Sequence, residues 1–279
     1  MTGELFRQRE AKVIRYHSSV PEHIRAQYQQ MFSEMPRDLY AAVITQYGSR
    51  GGEIAVAEKI RMLNPSYKPF FVGYTRPDPP TSHVQFTGRN DNMEVRPYND
   101  LKRNLYHEIG HNVFSDYNPR NRNFRAEFAA TYAREIQKLQ ALAVMNDPGQ
   151  TDPSKIKPVA DYFMPGGTFD RAGAAKEAFC EILSFASNGG IHSFNRPDGT
   201  PIDIERDFPE TTKLVREAMA AYIAKHDPAE AQRIADINEL LRTNPAEGMR
   251  QLYPDKDCKE LPNGMFNCKP KTLPDPAAP

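Results

Sequence analysis

Two histidines four residues apart, His107 and His111, constrain this chain more than any other feature. They lie in His107-Glu108-Ile109-Gly110-His111, within residues 99–114. On a helix, residues four apart share one face, so both imidazoles can address one metal ion. Glu108 stands about 100° round the same helix, within reach of a water on that ion. A pattern with these three fixed positions arises by chance on the order of once in a hundred chains of this length. Leu101, Leu105, Ile109 and Val113 form a separate apolar stripe, so the core face is not the histidine face. Asn99 and Asp100, after Pro97, are N-cap candidates. The competing reading is a pair of surface histidines beside an ordinary Glu.

The remainder of the chain narrows the function. Lys plus Arg equals Asp plus Glu, 36 each, so no whole-chain charge argues for nucleic acid or an anionic membrane. No apolar run approaches the ~20 residues that span a bilayer, and the first residues form no secretory signal. Cys180 falls in an apolar helical pattern and reads as a buried small hydrophobe. Cys258 and Cys268 flank a Pro-Asn-Gly turn. They either close a hairpin in an oxidising compartment or remain two thiols.

The expected class is α+β, mainly helical, with a small mixed sheet ahead of the histidine helix. Residues 1–20 read as a flexible lead-in, 21–245 as one domain, and 246–279 as a tail with a Pro-rich end. Ile24, Tyr28, Met31 and Phe32 share a helical face, and a second helix covers about 38–47. Residues 53–62 are ambiguous between strand and helix. Short strands are expected at 69–74, 83–87 and 93–96, with 77–80 breaking the pattern. Such strands are well placed to offer an edge to an extended peptide. Long helices follow at about 125–145 and 171–187, the latter capped by Asp170, then at 209–225 and 228–242 with a short one near 245–252.

A catalytic zinc uses three protein ligands and leaves a position for water. A third His six residues after His111 is excluded, because Tyr117 stands there. Glu177 is the leading third ligand: it shares a helix face with Glu181, opposite the apolar Phe179, Ile182 and Leu183. Glu181 would accept a hydrogen bond from a ligating His. Glu127 and Asp116 are the rivals, and a merely solvated face is the plain alternative for Glu177 and Glu181.

Four pieces then add up: His107-Glu108-Ile109-Gly110-His111; Phe128-Ala129-Ala130-Thr131-Tyr132-Ala133-Arg134-Glu135; Glu177-Ala178-Phe179-Cys180-Glu181; and Phe208-Pro209-Glu210-Thr211-Thr212. Over residues 20–225 the chain resembles the catalytic domain of anthrax lethal factor and its relatives, the lethal-factor-like zinc peptidases, which include the Pro-Pro endopeptidases. The resemblance implies a zincin-like fold, Zn2+ on His107, His111 and Glu177, and Glu108 as general base. Relatives carry an oxyanion-binding Tyr seven residues before that Glu, where this chain has Asp170; Tyr162 or His192 would have to serve. The implied function is a zinc endopeptidase of toxin or effector type, cleaving a protein or peptide in extended conformation. Such a protein would be secreted or delivered into a target cell without a cleavable signal. An inactive interaction module on the same fold, or a cytoplasmic housekeeping peptidase, are the alternatives. Oligomeric state is left open.

Overall fold

Strand β2, Glu53–Ala57, is buried at every residue after the first, as expected of a strand covered on both faces. It pairs in parallel with β1, Ile14–Tyr16, and with β4, Pro80–Gln85. Strand β3, Gly73–Pro77, runs antiparallel to β4, so the sheet order is β1-β2-β4-β3, with β3 at an edge among the described residues. The computed structural model describes residues 13–49, 51–68, 73–77, 79–88, 93–117, 124–146, 174–188, 191–195, 200–252, 256–261 and 266–270.

Parallel neighbours need a long crossover, and here it is helical. Helix α1, Glu22–Ser33, buries Ile24, Tyr28, Met31 and Phe32, the face anticipated from their spacing. Helix α2, Arg37–Val43, continues as a π-helical turn, Ile44–Ser49. Gly52 then admits the chain to the sheet: a Cβ there would lie 2.0 Å from Pro80 O.

All four strands precede helix α3, Tyr98–Tyr117, which carries both histidines. Backbone amides of Asp100 and Leu101 bond to Pro97 O, so the helix begins at Tyr98 rather than after a side-chain cap at Asn99 or Asp100. Leu101, Leu105, Ile109 and Val113 are fully buried. Helix α3 packs between β3 and β4 on one side and α5, Ala174–Ala186, on the other. Gly110 permits that second approach, because a Cβ there would stand 3.1 Å from Cys180 Cα and from Leu183 Cδ2.

Helix α4, Phe124–Asn146, joins this layer through aromatic rings. Phe128 lies 5.7 Å from Phe179 and stacks on Tyr132, which stacks in turn on Phe208. Strands β5, Ile191–Asn195, and β6, Pro201–Asp203, form a separate antiparallel pair. A short α6, Ile204–Asp207, leads to α7, Pro209–His226. The buried Glu135 of α4 caps α7, accepting from Glu210 N (2.9 Å) and Thr211 N (3.1 Å). Three of the four pieces that carry the family resemblance are thus joined by one aromatic stack and one helix cap.

The chain forms two compact units, one spanning Val13–Tyr222, the other including Ile223 onward. In the latter, α8, Pro228–Thr243, is capped by Asp227, and α9, Pro245–Leu252, meets α8 at Gly248. Strands β7, Lys256–Glu260, and β8, Phe266–Pro270, form a hairpin closed by a Cys258–Cys268 disulfide.

The architecture is α+β, mostly helical, with a small mixed sheet. Several boundaries differ from those expected. The supposed lead-in contains β1, with Val13 and Val20 buried, because its strand has a partner in β2. Of the strand expected at 69–74, residues 73 and 74 are described, and they open β3, Gly73–Pro77. Pro77 and Pro80 face each other across the β3–β4 register instead of breaking the sheet. Residues 93–96 contribute only a bridge, Thr87 to Val95. The main unit closes at Tyr222. Residues 69–72, the Asp170 cap and the Pro-rich end lie outside the described residues.

Candidate metal centre

One helical turn separates His107 from His111 on α3, and one turn separates Glu177 from Glu181 on α5. The close α3–α5 approach at Gly110 brings the two pairs face to face. His107 Nε2 lies 3.2 Å from Glu177 Oε2, and His111 Nε2 lies 3.7 Å from Glu177 Oε1. The two rings are 4.8 Å apart and nearly perpendicular. Tetrahedral zinc with bonds near 2.0–2.2 Å spaces its ligand atoms roughly 3.3–3.6 Å apart. Each Nε2 atom thus stands from the Glu177 carboxylate at about the spacing of two ligands around such an ion.

The other nitrogen of each ring is also occupied. His107 Nδ1 lies 3.4 Å from Glu181 Oε1, the carboxylate partner that orients many metal-bound histidines. His111 Nδ1 lies 3.1 Å from Cys180 Sγ, in the core. His107, His111 and Cys180 can also bring one ligand atom each within 4.8 Å of one another. The thiol, however, meets His111 at Nδ1, and the two nitrogens of an imidazole point apart. A sulfur there cannot share an ion with Nε2. Cys180 is better placed to accept a hydrogen bond from Nδ1–H, the tautomer that would leave the Nε2 lone pair free for an ion.

Electrostatics separates the two histidines. Burial opposes charge on His107, but the hydrogen bonds it donates to Glu177 and Glu181 outweigh it and raise its pKa to about 10. Burial and the neighbouring His107 lower His111 to about 3. Burial raises the Glu177 pKa, yet His107 and His111 more than reverse this and hold it below the usual range. Burial pushes the Cys180 thiol well up.

Glu108 points to the sheet. It is buried, and burial raises its pKa to about 6, against the pull of His107 and a hydrogen bond from Thr75. Thr75 Oγ1 donates to Glu108 Oε2 at 2.7 Å. A Cβ on Gly73 would lie 2.0 Å from Glu108 Oε1. Positions 73 and 75 fall on one face of β3, so one residue clears space for the carboxylate and the other clasps it.

The structure thus brings His107, His111, Glu177 and Glu181 together and sets Glu108 against the edge strand. Glu127 is exposed in the first turn of α4, and no ion pair among the described residues joins it to either histidine. Tyr162 and the side chains of Asp116 and His192 lie outside the described residues. Sequence reasoning missed Gly73 and Thr75, because no local pattern marks a strand that a distant helix will touch. It also read Cys180 as packing alone. No family model matches the chain, and no curated protein matches it.

Proposed function

We propose that this chain is a zinc-dependent endopeptidase with a zincin-like fold. The observation that carries the reading is the convergence of both histidine Nε2 atoms on the Glu177 carboxylate, at ligand-shell separations. The resemblance to lethal-factor-like peptidases supports it. His107, His111 and Glu177 hold the ion, and Glu181 keeps His107 oriented. When bound, zinc would supply Lewis-acid polarisation and a more acidic water. Glu108 takes the proton of the attacking water and returns it to the departing amine. In the metal-free chain burial already raises its pKa to about 6, a shift that makes it a better base.

Among the described residues β3 is the outermost strand of its sheet, and it touches α3. A substrate strand added to that edge would lie beside Glu108, which supports an extended protein or peptide as substrate. The Cys258–Cys268 disulfide supports a final oxidising compartment. That agrees with a secreted or delivered toxin or effector more than with a cytoplasmic housekeeping peptidase.

The test pairs metal analysis with mass spectrometry of a digested peptide library. The intact protein is expected to bind one zinc per chain and to cleave. Glu108→Ala should keep the zinc and lose turnover. His107→Ala should lose both. Proteolysis surviving in Glu108→Ala, or full zinc occupancy in His107→Ala, would overturn the assignment.

A further inference from the structure

A line of polar side chains drawn from four separate elements ends on the Glu108 carboxylate. Asn112 Nδ2, on α3, donates to Tyr47 Oη at 2.9 Å, in the π-helical turn. Tyr47 Oη lies 2.6 Å from Ser82 Oγ on β4. Ser82 Oγ lies 3.2 Å from Thr75 Oγ1, directly across the β3–β4 register. Thr75 Oγ1 reaches Glu108 Oε2 at 2.7 Å, with Glu108 O at 3.1 Å as a longer second acceptor. Asn112, Tyr47, Ser82 and Glu108 are all buried.

Charge gives this line a direction. An ionised carboxylate can only accept. The single Thr75 proton therefore goes to Glu108, and Thr75 must accept from Ser82. Ser82 then accepts from Tyr47, and Tyr47 accepts from an amide N–H. Asn112 presents that N–H at the far end. Each hydroxyl proton points toward Glu108, an arrangement in which successive bonds polarise one another. The same strand face adds the clearance at Gly73, so both carboxylate oxygens are located by β3.

We propose that Asn112, Tyr47, Ser82 and Thr75 are positioning residues: a one-way hydrogen-bond chain that fixes the Glu108 carboxylate for its work as the base. The base role rests on the peptidase reading; the chain itself does not. Because the links act in series, cutting one far from Glu108 loosens the carboxylate. Tyr47→Phe removes one oxygen three links away and leaves the ring to fill its place.

The experiment follows the 13C resonance of the Glu108 carboxyl carbon in the metal-free full chain at pH 8, assigned by its loss in Glu108→Gln. Thr75→Val and Tyr47→Phe are both expected to move it, and Thr75→Ser to return it to its place. The double variant should match Thr75→Val alone. Ser82→Ala, which removes the middle link, serves as the second break. In the zinc-loaded protein, Tyr47→Phe should lower kcat roughly tenfold, part of the 10²–10⁴-fold a positioned base supplies, with KM and zinc affinity unchanged. A Glu108 resonance unmoved in both Tyr47→Phe and Ser82→Ala would overturn the proposal. A resonance that moves as expected in a protein without peptidase activity would retain the chain and remove only the peptidase reading.

Discussion

Under the proposed zinc assignment, His107 is the residue whose charge state most affects metal binding. With a pKa raised to about 10 it is an imidazolium at neutral pH, while His111 at about 3 is already neutral. Zinc binding to the metal-free chain at pH 7.5, roughly a unit above the ordinary His value, should therefore release about one proton. Calorimetry in two buffers of different ionisation enthalpy counts it, and a count near zero would contradict the His107–Glu177–Glu181 arrangement. The same shift sets a stability profile. A histidine raised from 6.5 to about 10 stabilises the metal-free fold in full below the lower value and loses that contribution as pH rises through the upper one. The urea midpoint of the metal-free protein should accordingly fall between neutrality and the upper value, and His107→Ala should flatten that decline. Gly73 makes a steric prediction. Gly73→Ala must displace the Glu108 carboxylate, since its Cβ would meet Oε1 at 2.0 Å. A shift of about 1 Å costs on the order of 100-fold in rate, so kcat should drop that far with zinc content unchanged. Activity within twofold of the parent would show that the carboxylate has another resting place.

Among the elements, the junction of α4 and α7 has the clearest energetic prediction. Glu135 satisfies two backbone amides at the start of α7 from a buried position. Glu135→Ala removes a helix cap and leaves buried donors without a partner, a loss of about 2–3 kcal/mol. Chemical denaturation should show this, and an unchanged midpoint would mean that water replaces the carboxylate. Much of this level is legible in the sequence. The 3.6-residue spacing of Ile24, Tyr28, Met31 and Phe32, and of Leu101, Leu105, Ile109 and Val113, marks helices whose buried faces the structure shares. Strands were harder to place. The polar Gly73–Pro77 stretch, which no apolar alternation marks, pairs with β4. Only the register with β4 and the contact with α3 distinguish it.

For the whole molecule, His107, His111, Glu177 and Glu181 all belong to the Val13–Tyr222 unit, and the disulfide belongs to the other. Reduction should therefore open the β7–β8 hairpin and leave the zinc-to-chain ratio as it was. Metal loss on reduction would show that the units depend on each other. By itself the sequence determined the histidine helix, its buried stripe and the paired carboxylates of α5. These are helical periodicities, written within one or two turns of chain. Tertiary structure alone decided that Glu177 meets both Nε2 atoms, that Cys180 stands behind His111, and that Thr75 and Gly73 lie against the Glu108 carboxylate. Those contacts join residues 33 to 70 positions apart, and close helix–helix and helix–strand packing, not local pattern, brings them within bonding distance.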